Sequence, residues 1–285
     1  MNFATDPRRP ARLSRLIVTR PVPEAQLWAD ALRERAWPAH VLPLIEIGEP
    51  SDAAALTALQ DWRQQVFHAD AAMFVSGAAV THFFAGMEPA QVTSALAPGQ
   101  ALTRFWAPGP ATASALQEAG VPFSRIDSPA RDAPQFDSET LWPIVAAQVR
   151  AGAQVLIVRG TSLGTAADSV PGSGRDWLIR QCLAAGARVE ACVAYERRAP
   201  VWSSGQQRLA QTAVGPDSAW LFSSSEALAN LQVLLPQAKW QDTFALATHP
   251  RIAQSAHAAG FGHVVTSRPA LRDVMLALES AWSHA

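Results

Sequence analysis

The chain has 285 residues, 49% of them hydrophobic, and a formal net charge of -1; that length accommodates two domains that each bury a core. So balanced a charge argues against a surface built to displace counterions from nucleic acid or an anionic membrane. The two cysteines, and seven histidines without His-x-His or His-x-x-x-His spacing, exclude a disulfide framework and offer no metal site. Cys182 and Cys192 are expected to be buried apolar thiols. With no signal-peptide apolar region and no run of about 18 apolar residues, a cytoplasmic protein is expected, with residues 1–13 as a disordered tail.

Strand-length apolar runs alternate with helical stretches, the pattern of a parallel sheet covered on both faces. Leu16 to Thr19 reads as a strand and Glu24 to Arg35 as a helix. Val41 to Ile47 reads as a second strand; Pro43 forbids one ladder bond, so this is an edge or a strand leaving its sheet. Helix Ala53 to Val66, strand Ala71 to Val75 and helix Ala78 to Ala85 follow, then strand Thr103 to Ala107 and helix Ala111 to Ala119, stopped by Gly120. Ser138 to Val149 is a helix with Ser138 as candidate N-cap, and Val155 to Val158 a strand. Thr161 to Gly174 is a loop, Arg175 to Ala185 a helix and Arg188 to Tyr195 a strand. A polar, linker-like stretch, Glu196 to Gln206, precedes helix Gln207 to Ala213. The remaining strands are Ala219 to Phe222, Thr243 to Ala247 and His263 to Thr266, alternating with helices Ser225 to Leu235, Pro250 to Ala259 and Ala270 to Trp282.

The chain also repeats itself at a lag of about 140 to 150 residues. Leu16-Ile17-Val18-Thr19-Arg20 is echoed by Leu156-Ile157-Val158-Arg159-Gly160, and Trp28 to Ile45 by Trp177 to Tyr195. Phe74 to Val80 is echoed by Phe222 to Leu228, and Pro110 to Val121 by Pro250 to Phe261. Two related α/β units follow, with a working site expected in the cleft between them.

Several pieces, in order, resemble the uroporphyrinogen-III synthase family. They are Val18-Thr19-Arg20-Pro21, Leu42-Pro43-Leu44-Ile45-Glu46-Ile47, Phe74-Val75-Ser76, Gly109-Pro110-Ala111-Thr112-Ala113, Val193-Ala194-Tyr195-Glu196-Arg197 and His249-Pro250-Arg251-Ile252-Ala253. The resemblance implies two flavodoxin-like parallel-sheet domains joined by a two-stranded crossing connector. Domain one then comprises residues 14–45 plus 200–285, and domain two residues 50–192. It further implies closure of the linear tetrapyrrole hydroxymethylbilane to uroporphyrinogen III with ring D inverted and water lost, without a cofactor. A monomer receiving its substrate from hydroxymethylbilane synthase, and binding neither nucleic acid nor membrane, is the corresponding partner expectation. The competing reading is a non-catalytic bilobal module that binds a tetrapyrrole or another ligand.

Tyr195, the only tyrosine, falls where the family carries a tyrosine near the cleft; a phenol donates a hydrogen bond to a departing hydroxyl without adding charge. The bland alternative is a half-buried strand aromatic whose hydroxyl meets solvent. Ser76, Thr112 and Ser224 sit where a strand gives way to a helix, whose first N–H groups and dipole favour substrate carboxylates; each is equally readable as an ordinary N-cap. Arg20, Arg159 and Arg251 follow strand ends, where arginine pairs bidentately with carboxylates, and Thr19 joins them in the Val18–Pro21 piece. Arg251-Ile252 stands where some family members carry paired hydroxyl residues, so an arginine contact is expected there instead. His249 reads as a turn residue. Ser223-Ser224-Ser225 lacks a nucleophile-elbow frame, and no Gly-x-Gly-x-x-Gly follows a strand.

Overall fold

The computed structural model describes residues 13–130, 132–133, 135–162 and 174–282. The tail expected over 1–13 lies outside these residues except for Leu13, which packs in a core; most of the loop expected over Thr161–Gly174 also lies outside them. The described residues form two compact units, one from those up to Glu46 together with those from Arg198 onward, the other from those between Ile47 and Arg197.

The first unit carries β1 (Arg15–Val18), α1 (Glu24–Arg33) and β2 (Ala39–Val41), then α8 (Ser204–Thr212), β9 (Ser218–Phe222), α9 (Ser225–Leu234), β10 (Phe244–Ala247), α10 (Pro250–Ala258), β11 (His263–Thr266) and α11 (Leu271–Ala281). Its sheet order is β11-β10-β9-β1-β2, with parallel pairs throughout. Numbered by appearance within the unit, the order is 2-1-3-4-5, the flavodoxin-like arrangement. One face packs Leu16, Val18, Trp28, Leu32 and Leu278. Trp220, Phe222, Trp240 and Phe261 form an aromatic cluster with centroid spacings of 4.9–6.3 Å.

The second unit begins with β3 (Glu46–Gly48), whose first residue still belongs to the first unit, and continues with α2 (Ala53–Gln65), β4 (Ala71–Phe74), α3 (Gly77–Phe83), α4 (Pro89–Ala95), β5 (Arg104–Trp106) and α5 (Pro110–Glu118). It ends with β6 (Ile126–Asp127), α6 (Ser138–Val145), β7 (Gln154–Ser162), α7 (Gly174–Ala184) and β8 (Arg188–Arg198). Its sheet order is β3-β8-β7-β4-β5-β6. Starting the count at β7 turns the last five into 2-1-3-4-5 again, so the second unit is a cyclic permutation of the first. The sequence repeat pairs the same elements: β1 with β7, β2 with β8, β9 with β4 and α10 with α5. The units change over within β3 and β8, two neighbouring strands.

The strand expected over Val41–Ile47 is two strands in different sheets, β2 and β3. β2 ends at Val41; beyond it Leu42 donates to Val18 O at 3.0 Å and Leu44 to Thr19 O at 3.1 Å, and Pro43, which has no N–H to give, lies between these two bonds where the chain leaves its sheet. The linker-like stretch from Glu196 is strand up to Arg198, and α8 starts at Ser204 under a Ser203–Gln206 capping box. Asp137, not Ser138, caps α6: its backbone is extended (φ -138°, ψ -179°) and its carboxylate accepts from Thr140 N at 2.8 Å. Helix α4 and the two-residue β6 have no counterpart in the sequence reading. Gly120 stops α5 with φ +94°, and a side chain there would run into the Pro89 carbonyl.

Candidate active site

In the second unit β4, β5, β7 and β8 run parallel, so their carboxyl ends share one edge, where ligands of open α/β sheets bind. The segments entering α3 and α6 and the end of β8 enclose a pocket of about 340 Å³ there, lined by Val75, Ser76, Phe136, Asp137, Tyr195 and Arg197 among others. Tyr195 is 5% exposed, with its ring in the core. Its hydroxyl lies 3.4 Å from Ser76 Oγ, at the outer limit of a hydrogen bond, and its ring lies 5.5 Å from that of His82. Ser76 caps α3, accepting from Ala79 N at 3.2 Å. Arg197 Nε donates to Ser162 Oγ at 3.1 Å. Hydrogen bonds from the Thr140 hydroxyl and N–H hold the Asp137 carboxyl below its usual range and keep it charged. Among the described residues one carboxylate and one guanidinium therefore line the pocket beside the phenol.

The sequence analysis missed Arg197 and Asp137. Arg197 stands two residues beyond Tyr195 and so on the same strand face; Asp137 immediately precedes the expected helix, the position an N-cap takes. Thr112 is buried in the first turn of α5. Arg159, near the end of β7, keeps a buried Nε without a partner among the described residues. Neither belongs to the pocket lining.

The other candidates belong to the first unit, where they occupy the corresponding strand ends. Thr19 is 1% exposed, and its hydroxyl donates to Leu221 O at 2.7 Å, tying β1 to β9. The Arg20 guanidinium stacks 3.9 Å from the Trp28 ring, pairs with Glu24 and reaches Pro269 O at 3.4 Å; these contacts fix its charge in place. Ser224 caps α9, accepting from Glu226 N at 3.1 Å. His249, expected only to form a turn, caps α10: its Nδ1 accepts from Arg251 N at 3.1 Å. The Arg251 side chain is exposed.

Cys182 and Cys192 are free and buried, and desolvation pushes their thiols up to about 11 and about 12, so neither is a nucleophile near neutrality. His82 titrates below its ordinary 6.5 because burial, with help from Arg63, outweighs Glu49. His40 is also lowered, by burial, Arg33 and Arg15. Both bind protons more tightly unfolded than folded, so the stability they contribute is complete above about 6.5 and is lost as pH falls through their folded values. The urea midpoint is expected to be lower at about pH 5.5 than at about pH 7.5, and His40→Gln with His82→Gln to remove most of that difference; an undiminished difference in the double variant would assign the effect elsewhere.

Among the described residues no group of three or more His, Cys, Asp or Glu is placed to hold a metal ion, and no helix is long and apolar enough to cross a membrane. No curated protein matches the chain. Solved structures similar to it include a mutant uroporphyrinogen III synthase from Thermus thermophilus, 15% identical over 94% of this chain and 98% of that one, with TM-score 0.49. Another is the uroporphyrinogen-III synthetase of Helicobacter pylori, 14% identical over 94% and 99%, also at 0.49. The family model for uroporphyrinogen-III synthase HemD matches residues 26–275, from within α1 to within α11. This chain thus belongs to the uroporphyrinogen-III synthase family, the enzymes of haem biosynthesis that close hydroxymethylbilane into uroporphyrinogen III.

Proposed function

We propose that the pocket of the second unit receives the hydroxymethyl end of the bilane and that the Tyr195 hydroxyl donates a hydrogen bond to the departing hydroxyl group. The observation that carries this reading is the placement of the chain's single phenol on the pocket wall, where among the described residues a 3.4 Å contact to Ser76 competes for it. The phenol passes its proton to the hydroxyl, which leaves as water; the azafulvene-type cation that remains is stabilised by its own pyrrole nitrogen, and the proton lost when the reclosed ring regains its aromaticity restores the phenol. Ring D then attacks through its substituted carbon; the spiro intermediate fragments and recloses with that ring inverted. A neutral donor suits this step, because a second fixed anion would repel the substrate's carboxylates.

Most of the acceleration comes from holding the chain of four pyrroles folded so that the inverted closure outruns the spontaneous one. In this reading Arg197 pairs with an acetate or propionate arm, and Asp137 meets pyrrole N–H edges. Arg159 and the first turn of α5 at Thr112 supply further donors in the same unit. In the first unit Arg20, Ser224 and Arg251 supply the donors, Arg251 from an exposed position and Arg20 as a charge clamped by Trp28 and Glu24, while Thr19, its hydroxyl given to Leu221 O, holds β1 and β9 in place beneath them. No cofactor enters the scheme, since the reaction exchanges no electrons. The enzyme acts in the cytoplasm as a monomer and takes the unstable bilane directly from hydroxymethylbilane synthase.

Enzymatically generated hydroxymethylbilane, turned over with catalytic amounts of the protein, oxidised to porphyrins and separated by isomer, tests the activity. Type III in excess of the protein-free control is expected. Type I alone, formed at the spontaneous rate, would refute the cyclising activity.

A further inference from the structure

The register of β8 against β7 contains an irregularity that determines which way Tyr195 points. Arg159 stands opposite Val193, but Gly160 stands opposite Tyr195, so Ala194 is an extra residue on β8. In a regular strand Tyr195 and Val193 share one face, and Cys192 and Ala194 the other. The extra residue moves Tyr195 onto the face of Val158 and Cys192, where it joins the core of Phe74, Phe83 and Leu156. Such bulges bend a strand and re-aim a side chain beside a site.

The ring arriving on that face lies directly on Gly160. A Cβ built on Gly160 would clash with the Tyr195 ring at Cζ, Cε1 and Cε2. The φ of Gly160 is not in the left-handed region, so this glycine is required for the space it leaves, not for its backbone freedom. His82 packs near the ring, and Ser76 stands at the hydroxyl.

We propose that Gly160 and the Ala194 bulge form a seat that aims the Tyr195 hydroxyl into the pocket, making Gly160 a positioning residue for the cyclisation. This rests on the role given to Tyr195 above. A methyl group on Gly160 moves the ring off the bare strand and the hydroxyl away from Ser76 and the reacting end of the bilane. A displacement of about 1 Å at such a group costs about 100-fold in rate.

Because Tyr195 is the only tyrosine, protein grown on 3-fluorotyrosine carries one 19F resonance, which reports this ring alone. Gly160→Ala is expected to shift that resonance, whereas Val233→Ala, at an exposed position on α9 of the first unit, leaves it in place. It is also expected to lower kcat about 100-fold, with no further loss when Gly160→Ala is combined with Tyr195→Phe. Gly160→Ala should lower the urea midpoint in the wild-type background and leave it unchanged in a Tyr195→Ala background, where nothing occupies the space. If the single variant does not fold, recovery of folding in Gly160→Ala/Tyr195→Ala identifies the ring as the obstruction. An unshifted resonance with wild-type turnover, equal destabilisation in both backgrounds, or failure of the double variant to fold would overturn the proposal. Should Tyr195→Phe leave turnover unchanged, the catalytic role of the phenol fails, while the resonance and the background dependence still decide the seat.

Discussion

Tyr195→Phe is expected to lower kcat by about 100-fold, the lower end of what a positioned proton donor contributes, with KM nearly unchanged and type III still the product. The substitution removes one oxygen and leaves a ring that is 5% exposed in its packing, so among the described residues the fold loses the 3.4 Å contact to Ser76 and no other hydrogen bond. KM holds because the phenol acts on a hydroxyl that departs in the transition state, whereas affinity comes from carboxylate contacts made before and after. Isomer choice holds because folding of the bilane, not the departure of its hydroxyl, selects the attacking carbon of ring D. Initial rates on freshly generated bilane, with isomers separated, check all three statements. A variant as fast as the wild type would remove Tyr195 from the chemistry and leave catalysis to orientation alone.

The largest loss of stability is expected from Phe74→Ala, about 3–5 kcal/mol. Phe74 is fully buried at the end of β4 and touches three aromatic rings at once, Phe83, Phe84 and Phe105, at centroid distances of 5.3, 5.6 and 6.2 Å. Truncation opens a cavity on the interior face of a sheet whose neighbours are held by ladder bonds and cannot close over it. Activity should fall as well, since Ser76 follows two residues later and its cap depends on where β4 ends. Urea unfolding followed by tryptophan fluorescence gives the first quantity and the isomer assay the second. A loss of about 1 kcal/mol or less would mean that the cluster collapses around the gap and adds little beyond the area it buries.

Local chemistry made much of this molecule legible before any coordinates. Runs of strand length such as Leu16–Thr19 and Ala219–Phe222 name their own conformation, because a strand buried on both faces has to be apolar throughout. Ser76 and Ser224 were readable as caps because a hydroxyl just ahead of a helix accepts one of its unpaired N–H groups. Pro43 marked an edge because it has no hydrogen to place in a ladder. The two-unit architecture also came from the chain alone, through the repeat and the family pieces.

What the tertiary structure alone decided is everything that depends on partners distant in sequence. The order β8-β7-β4-β5-β6 places β7 beside β4, more than eighty residues earlier, and no local period encodes that pairing. Arg20 read as a charge at a strand end, and Trp28, Glu24 and Pro269 hold it there; a guanidinium stacks and bonds where the fold brings a ring and acceptors within reach. Arg197 enters the pocket, while Thr112 and Arg159 stay out of its lining. The orientation of Tyr195 turns on one extra residue in β8 and one missing side chain in β7. Alternation along a strand reads out faces from sequence only while the register is regular, and the register belongs to the pair of strands, not to either one.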